Sequence, residues 1–326
     1  MENLGIVVVG RNEGERLRGC FSSLLKHSYP IVYVDSMSND GSVEYAKSID
    51  VDVVLLDNSK PLNASRARNS GFEFLYRNNP QLQYIHFIDG DCEIDRKWPE
   101  YVIELLERNS KYAVVFGILD EKYRNSNIYT RLCDIEWKKN TGEQKNVGGL
   151  GIATIRVEAF KEAGGFDESL IAGADPELYL RIRKNKWIVY CADVNMGLHD
   201  CAMYQFKQWW MRCMKSGYAY MDGTKWGGYH LQKRSTLIWG VLIPTLIIAL
   251  SIKISLVILL CFAIYPIQVM RTYHKVNISN VSRNDKLLYA AACILAKFPQ
   301  TLGMGKWIIN KIFQQQPKII EYKAPN

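Results

Sequence analysis

Asp89-Gly90-Asp91 places two carboxylates one residue apart, directly after the apolar run Tyr84-Ile85-His86-Phe87-Ile88. A β-rich apolar run stopped by an acidic glycine turn predicts a buried strand that delivers both carboxylates to the edge of a sheet. Open α/β sheets bind ligands at that edge. Two hard oxygen ligands there suit Mg2+ or Mn2+, and such a cation holds the phosphates of a nucleotide. On this motif alone a solvated acidic turn is the stronger reading, because Asp and Gly are ordinary turn residues. A calcium loop fits less well. Asp89, Asp91, Glu93 and Glu100 fall at positions 1, 3, 5 and 12 of such a loop, but position 6 is Ile94 rather than glycine, and a strand rather than a helix precedes it.

A second acidic strand end, Ile31-Val32-Tyr33-Val34-Asp35, runs into Ser36-Met37-Ser38-Asn39-Asp40-Gly41. Asp35 at a strand's carboxyl end can accept hydrogen bonds from a base or ribose, and Ser42 or Asp40 is placed to cap the next helix. Alone, this is a turn and a cap. Other polar groups follow the same plan: Gly10-Arg11-Asn12-Glu13 after the first strand and Ala64-Ser65-Arg66-Ala67-Arg68-Asn69-Ser70-Gly71 on a helix. Further on come Gly164-Gly165-Phe166-Asp167-Glu168, then Gly173-Ala174-Asp175-Pro176-Glu177-Leu178-Tyr179-Leu180-Arg181, then Gly197-Leu198-His199.

The elements that must position these groups alternate. Strand-like runs at 6–9, 31–34, 53–56, 84–88 and 113–117 are separated by helix-like stretches at 16–26, 43–48, 64–76 and 100–108. This βαβα pattern predicts a mainly parallel sheet covered by helices. Residues 121–147 are polar and irregular, and predict an exposed loop or helical insertion near the site. Another strand-like run spans 187–194.

Composition bounds the rest. At 326 residues with 48% hydrophobic content, the chain can form one large domain plus an appendage. Met1-Glu2-Asn3-Leu4 leads straight into a strand rather than a basic, apolar leader, so the expectation is a catalytic part that is not secreted. Eight cysteines at 20, 92, 133, 191, 201, 213, 261 and 293 are scattered without a Cys-x-x-Cys pair, which argues for reduced thiols rather than disulfides or a zinc site.

The net charge of +8 is unevenly placed. Residues 271–326 carry nine Lys/Arg against two acids and residues 203–234 carry six against one, which leaves residues 1–202 net acidic. A nucleic-acid partner would want basic and aromatic residues on the folded domain, so none is expected. A basic, apolar tail points to an anionic membrane surface.

Two apolar segments, 236–252 and 254–270, flank Lys253 and predict a membrane hairpin. Lys233 and Arg234 before it and Arg271, Lys275, Arg283 and Lys286 after it lie on one side. The positive-inside rule puts that side, and the N-terminal domain, in the cytoplasm, at a cell inner membrane. A buried hairpin of a soluble domain and a segment re-entering from one face are the other readings. The stretch 287–313, with Lys297, Lys306 and Lys311 and a break expected at Pro299, predicts helices lying in the membrane interface. Two domains are therefore expected, a catalytic one at 1–225 and a membrane-associated helical one at 226–326.

In their order and spacing, the motifs from Gly10 to His199 resemble the family 2 glycosyltransferases of bacterial surface-polysaccharide type, over residues 4 to about 220. The resemblance implies a GT-A fold, an α/β Rossmann-like sheet that binds a nucleotide-diphosphate sugar over its strand ends. It places Asn12, Glu13, Asp35, Arg68 and Asp89 around the donor and Asp89 and Asp91 on Mg2+ or Mn2+, with His199 as a further metal ligand. Arg68 reads equally as a solvated helix arginine, and His199 beside Asp200 also reads as a structural histidine. It also implies an inverting transfer, with Asp175 as the base that takes the acceptor's proton. Ala174 departs from the family's usual Glu-Asp pair, Glu177 is a rival base, and Asp175 before Pro176 also reads as a helix cap.

The membrane segments suggest a lipid-linked saccharide acceptor and a role in polysaccharide assembly. Gly148-Gly149-Leu150-Gly151 lacks the spacing of a phosphate-binding fingerprint and reads as a tight loop bordering the acceptor. Gln205-Phe206-Lys207-Gln208-Trp209-Trp210-Met211-Arg212 is out of register with the Gln-x-x-Arg-Trp of processive synthases and reads as an amphipathic helix at the membrane surface. A membrane-anchored scaffold with a degenerate transferase domain, favoured by Ala174, and a metal-dependent nucleotidyltransferase are the competing functions. No Walker loop and no Gly-x-Gly-x-x-Gly follows the first strand.

Overall fold

The computed structural model describes residues 3–145, 151–223, 226–278 and 281–314. It divides into two compact units, the first formed by 1–124 and 137–202 and the second by 125–136 and 203–323. The helix Phe206–Asp222, counted above with the first 225 residues, groups with the second unit.

The first unit is an α/β sheet. Its strands are β1 (Leu4–Gly10), β2 (Ile31–Asp35), β3 (Asp52–Leu55), β4 (Tyr84–Asp89), β5 (Cys92–Ile94), β6 (Tyr112–Glu121), β7 (Gly142–Glu143), β8 (Ala153–Arg156) and β9 (Ile188–His199). The order is β3-β2-β1-β4-β8-β6-β9-β5, with β7 against β9. β3, β2, β1 and β4 are parallel, as the βαβ alternation predicts. Beyond them the sheet is mixed, because β8 enters antiparallel between β4 and β6 and β5 pairs antiparallel with β9. β5 and β8 hold three and four residues, too few to show an alternation, so the sequence pattern could not announce them.

β1 shows why the centre is parallel. Leu4 to Val9 are all buried, the unbroken apolar run that a strand covered on both faces requires. Helix α1 (Glu15–Leu24) follows, and α2 (Ser42–Ser48) begins after Gly41, whose φ of 83° fits a residue without a β-carbon. Asp40 supports that turn by accepting from Ser42 N at 3.1 Å. Helix α3 (Ala64–Asn78) starts at Asn63, whose side chain accepts from Arg66 N at 2.8 Å. It crosses β1 and β2 at Gly71, where a β-carbon would lie 2.9 Å from Val34 Cγ2 and closer still to Val7 Cγ1.

Register then sets the chemistry. Val9 faces Asp89 and Gly10 faces Asp35, so the two acidic strand ends stand at one level on either side of β1. β1 leads by α1 to β2 on one flank, while β4 lies on the other. That is the switch point at which open α/β sheets bind ligands. The remaining helices of this unit are α4 (Trp98–Arg108), α6 (Val157–Glu162) and α7 (Ala174–Lys184). Helix α5 (Ile128–Trp137) is the helical insertion expected in 121–147, and all of it but Trp137 groups with the second unit.

The second unit holds α8 (Phe206–Asp222) and three helices long and apolar enough to cross a membrane by length and composition: α9 (His230–Lys253), α10 (Leu256–Lys275) and α11 (Arg283–Ile312). α9 and α10 meet at the turn expected near Lys253, where Ser255 accepts from Val257 N at 3.3 Å. The break expected at Pro299 is absorbed. Ala296 keeps right-handed helical angles, and Gln300 N donates to Ala296 O at 3.0 Å across the proline. Pro299 thus sits in the first turn of the second segment, where its missing N–H costs least. α8 and α11 cross where a β-carbon on Gly217 would collide with the Gln300 carbonyl and one on Gly303 with that of Met214.

Gly71→Ala is expected to lower stability by about 1–3 kcal/mol through forced displacement of β1. Thermal unfolding of the detergent-solubilised chain checks it, and an unchanged midpoint would mean that α3 moves away without penalty.

Candidate active site

Asp35, Asp89, Asp91, Arg68, Asp175 and His199 all belong to the first unit, and one arginine joins several of them. Arg68 is 3% exposed, near the start of α3. Its Nη2 donates to Asp89 Oδ1 at 2.9 Å and to Gly151 O at 3.0 Å, and its Nη1 donates to Asp175 Oδ1 at 3.3 Å. Its guanidinium carbon lies 5.4 Å from the Phe166 ring centroid, within cation–π range. Burial alone would lower the Arg68 pKa, but Asp175 and Asp89 more than reverse that and raise it. Arg68 is therefore no solvated helix arginine.

The neighbouring Asn69 holds the loop that carries Phe166. Its Nδ2 donates to Phe166 O at 2.9 Å and Glu168 Oε1 at 3.0 Å, and its Oδ1 accepts from Phe166 N at 2.9 Å. The Ala64–Gly71 and Gly164–Glu168 motifs thus form one arrangement, with α3 gripping the loop from below. Asp175 and Glu177 part company here. Glu177 is buried and accepts from Arg181 Nε at 2.6 Å and Nη2 at 2.5 Å. That arginine also binds the carbonyls of Ala163 and Gly165, so Glu177 serves the scaffold. Asp175, 19% exposed at its side chain in the first turn of α7, meets Arg68 instead.

On the β2 side, Asp35 is 2% exposed, with both oxygens engaged: Tyr33 OH donates to Oδ1 at 2.9 Å and Ser38 N to Oδ2 at 2.8 Å. Asn12, at φ 54°, ties the two turns together. Its N donates to Ser38 Oγ and its Oδ1 accepts from Asn39 N, both at 2.9 Å. Glu13 is buried and paired with Arg16 at 2.9 Å. Asn12 and Glu13 therefore brace the turn after β1, while Asp35 is the oriented carboxylate at the strand end.

The other half of the site rests on strand pairing. His199 lies between Cys92 of β5 and Glu121 of β6 in register. His199 Nδ1 is 2.8 Å from Glu121 Oε2, and Nε2 is 3.4 Å from Asp91 Oδ2. Glu121 also accepts from Cys201 N at 2.9 Å, and the Trp137 ring lies 4.8 Å from the imidazole, edge-on. Asp91 is buried, whereas the Asp89 side chain is 36% exposed. A buried carboxylate, a half-open carboxylate and an imidazole oriented by a further carboxylate are a donor set that suits a divalent cation. Burial alone would lower the His199 pKa, but Asp91 and Glu121 outweigh it and hold it up at about 10. Metal and proton thus compete for Nε2.

Glu121 and Trp137 were not among the residues singled out from sequence, because both fall in or beside the polar stretch 121–147 and only the β6–β9 pairing brings Glu121 to His199. Of Gly148-Gly149-Leu150-Gly151, only Gly151 lies within the described residues.

Residues 5–162 match the family described as Glycosyl transferase family 2. The chain is 26% identical over 188 residues to the poly-beta-1,6-N-acetyl-D-glucosamine synthase of Staphylococcus epidermidis, covering 52% of this chain and 43% of that protein. It is 24% identical over 202 residues to the succinoglycan biosynthesis protein ExoA of Rhizobium meliloti, covering 58% and 60%. The chain thus spans about half the length of the curated relatives it matches. Among solved structures, the mannosyltransferase PcManGT from Pyrobaculum calidifontis, in complex with GDP-Man and Mn2+, superposes with a TM-score of 0.61 at 12% identity, over 96% of this chain and 88% of that one. That likeness establishes the GT-A fold.

Arg68→Ala leaves Asp89 and Asp175 without their shared cation and is expected to destabilise the protein by about 3–5 kcal/mol in chemical denaturation. The His199 pKa is raised above its unfolded value of about 6.5, so its stabilisation is complete below pH ~6.5 and lost as pH rises through about 10. With EDTA present, the melting-temperature difference between wild type and His199→Gln should shrink steadily from pH 6 to 10, and a flat difference would refute the charged bridge.

Proposed function

We propose that this chain is a family 2 glycosyltransferase that carries out an inverting, metal-dependent transfer of a sugar from a nucleotide-diphosphate donor to a lipid-linked saccharide acceptor. The transfer takes place at the cytoplasmic face of a membrane, in polysaccharide biosynthesis. The observation that carries the reading is the sharing of Arg68 by Asp89, at 2.9 Å, and Asp175, at 3.3 Å. Residues 86 positions apart in sequence, one suited to the donor's diphosphate and one to the acceptor's hydroxyl, meet at a single buried cation.

In this reading the donor's base and ribose lie against the β1 and β2 ends, where Asp35 is already oriented by Tyr33 and Ser38. Arg68 presents a planar fork suited to diphosphate oxygens. Asp89, Asp91 and His199 would hold Mg2+ or Mn2+, which when bound supplies Lewis-acid stabilisation of the leaving diphosphate. PcManGT, solved with GDP-Man and Mn2+, supports that assignment. Asp175 takes the proton from the acceptor hydroxyl as that oxygen attacks the anomeric carbon opposite the leaving group. Arg68 holds the Asp175 carboxylate in place, and the Glu177–Arg181 pair leaves no second candidate on this helix turn.

The apolar helices α9 and α10 expose Ile252, Ile254, Leu256, Val257 and Leu260, surface that lipid would cover. Basic residues at both ends of this hairpin support a cytoplasmic placement of the catalytic unit. The names of the two curated relatives, one a polysaccharide synthase and one a succinoglycan biosynthesis protein, support a saccharide acceptor.

The test is a donor screen. Full-length protein in detergent is offered a panel of nucleotide sugars with membrane-lipid extract, with and without Mn2+, and release of nucleoside diphosphate is followed. One donor should turn over only with metal, and Asp91→Asn should abolish that turnover. Asp175→Asn should cut transfer by about 10²–10⁴-fold with donor binding retained. Silence with every donor would favour the non-catalytic scaffold.

A further inference from the structure

We propose that Asp91, Cys92 and His199 form a binding site for a thiophilic divalent cation, Zn2+ above all, with Cys92 supplying a sulfur ligand. The proposal deepens the metal reading above and rests on it for Asp91 and His199. Its new element is Cys92 and the selectivity that a sulfur donor confers.

Three observations place the sulfur. Cys92 is the cross-strand partner of His199 in the β5–β9 ladder, so both side chains leave the sheet on one face. Asp91 spans the two, with Cys92 Sγ donating to its Oδ1 at 3.2 Å and His199 Nε2 lying 3.4 Å from its Oδ2. One donor atom from each of the three residues falls within 4.8 Å of the others. In a tetrahedral zinc site with bonds of about 2.0–2.3 Å, neighbouring donors stand about 3.5 Å apart. The cluster needs only a small contraction to reach that spacing.

Glu121 supplies an independent pointer. Its 2.8 Å contact fixes His199 through Nδ1 and directs Nε2 to the cluster, the carboxylate–histidine arrangement found behind metal-ligating imidazoles. A hard cation would use the oxygens and the imidazole and pass over the thiol. A borderline-soft cation binds all three donor types, and Zn2+ also stands above Mn2+ in intrinsic affinity. On binding, the cation takes the place of the thiol proton and of a proton on Nε2. Both protons leave to solvent, and no electron is transferred. Zn2+ held in this way occupies Asp91 and His199, and so competes with the cation that serves the sugar donor. The second buried thiol nearby, Cys20, points its sulfur at the Asp89 carbonyl, at 4.0 Å, rather than into the cluster.

The test uses Co2+ as an optical probe on the full-length protein in detergent, without nucleotide. A thiolate-to-cobalt charge-transfer band in the near ultraviolet is expected, bleached by stoichiometric Zn2+. It should be absent in Cys92→Ser and in Cys92→Ala and present in Cys20→Ser, with melting curves confirming that each variant is folded. Losing an outer-shell partner costs a metal site 10–100-fold, so losing this ligand should narrow the ratio of Zn2+ to Mn2+ affinity by about tenfold or more. Cobalt binding without a sulfur band, or a band that survives both Cys92 variants, overturns the proposal. Mn2+ binding, read by electron paramagnetic resonance on the same samples, separates the two readings. Bound Mn2+ with no sulfur band sinks only the Cys92 site, whereas failure of Mn2+ and Co2+ alike sinks the metal reading of the transferase as well.

Discussion

A buried guanidinium has to be neutralised, and that requirement organises the first unit. Arg68 is nearly inaccessible, and removing an unpaired charge from water to such a place costs several kcal/mol. The chain meets the requirement with Asp89 from the end of β4, Asp175 from the first turn of α7 and the Gly151 carbonyl, and stacks the remaining face over Phe166. Each partner comes from a different segment. The ion cluster therefore fixes where the end of β4 stands relative to the first turn of α7. Asn69, one residue along α3, extends the same grip to the loop at 164–168.

The second centre is positioned by register rather than by charge. β9 runs parallel to β6 and antiparallel to β5, so His199 acquires Glu121 on one side and Cys92 on the other as a consequence of hydrogen-bonded ladders. A one-residue slip in either pairing would turn Glu121 or Cys92 to the opposite face. Gly197 meets the same constraint two residues earlier. A β-carbon there would strike the Glu93 carbonyl, so only glycine lets β5 approach β9 closely enough to set the ladder. The juxtaposition of Cys92, His199 and Glu121 is in this sense a product of sheet geometry.

In the second unit, polar and small residues provide what apolar burial does not. α8 and α11 touch backbone to backbone at Gly217 and Gly303, and Trp307 Nε1 donates to the buried Asp222 at 2.9 Å. Thr236 Oγ1 donates to Gln300 Oε1 at 3.0 Å, linking α9 to the same helix, while Arg131 pairs with Asp285. Small residues at the crossing and interhelical hydrogen bonds are the means by which helices associate where hydrocarbon removes the hydrophobic drive. Apolar side chains in α10 stay turned outward, consistent with a lipid neighbour.

The first four parallel strands and their helices were legible in the sequence, because unbroken apolar runs and 3.6-period helices are local patterns that burial enforces residue by residue. Asp35, Asp89, Asp91 and the turn near Lys253 were legible for the same reason, since each ends such a run. Asp175 could be singled out but not separated from Glu177, as both lie in one helix turn and differ only in which arginine they meet, Arg68 or Arg181. Arg68 read equally as a surface residue, because nothing local reveals that Phe166 and Gly151 close over it. β5, β8 and the pairing of His199 with Glu121 and Cys92 were not legible at all. They depend on antiparallel insertions and cross-strand neighbours that are distant in sequence, and a short strand carries too few residues to show a period. Local chemistry thus determined which residue types stand at the strand ends, and tertiary packing decided which of them share a hydrogen bond or a guanidinium, because those partnerships are distances in space that no spacing along the chain encodes.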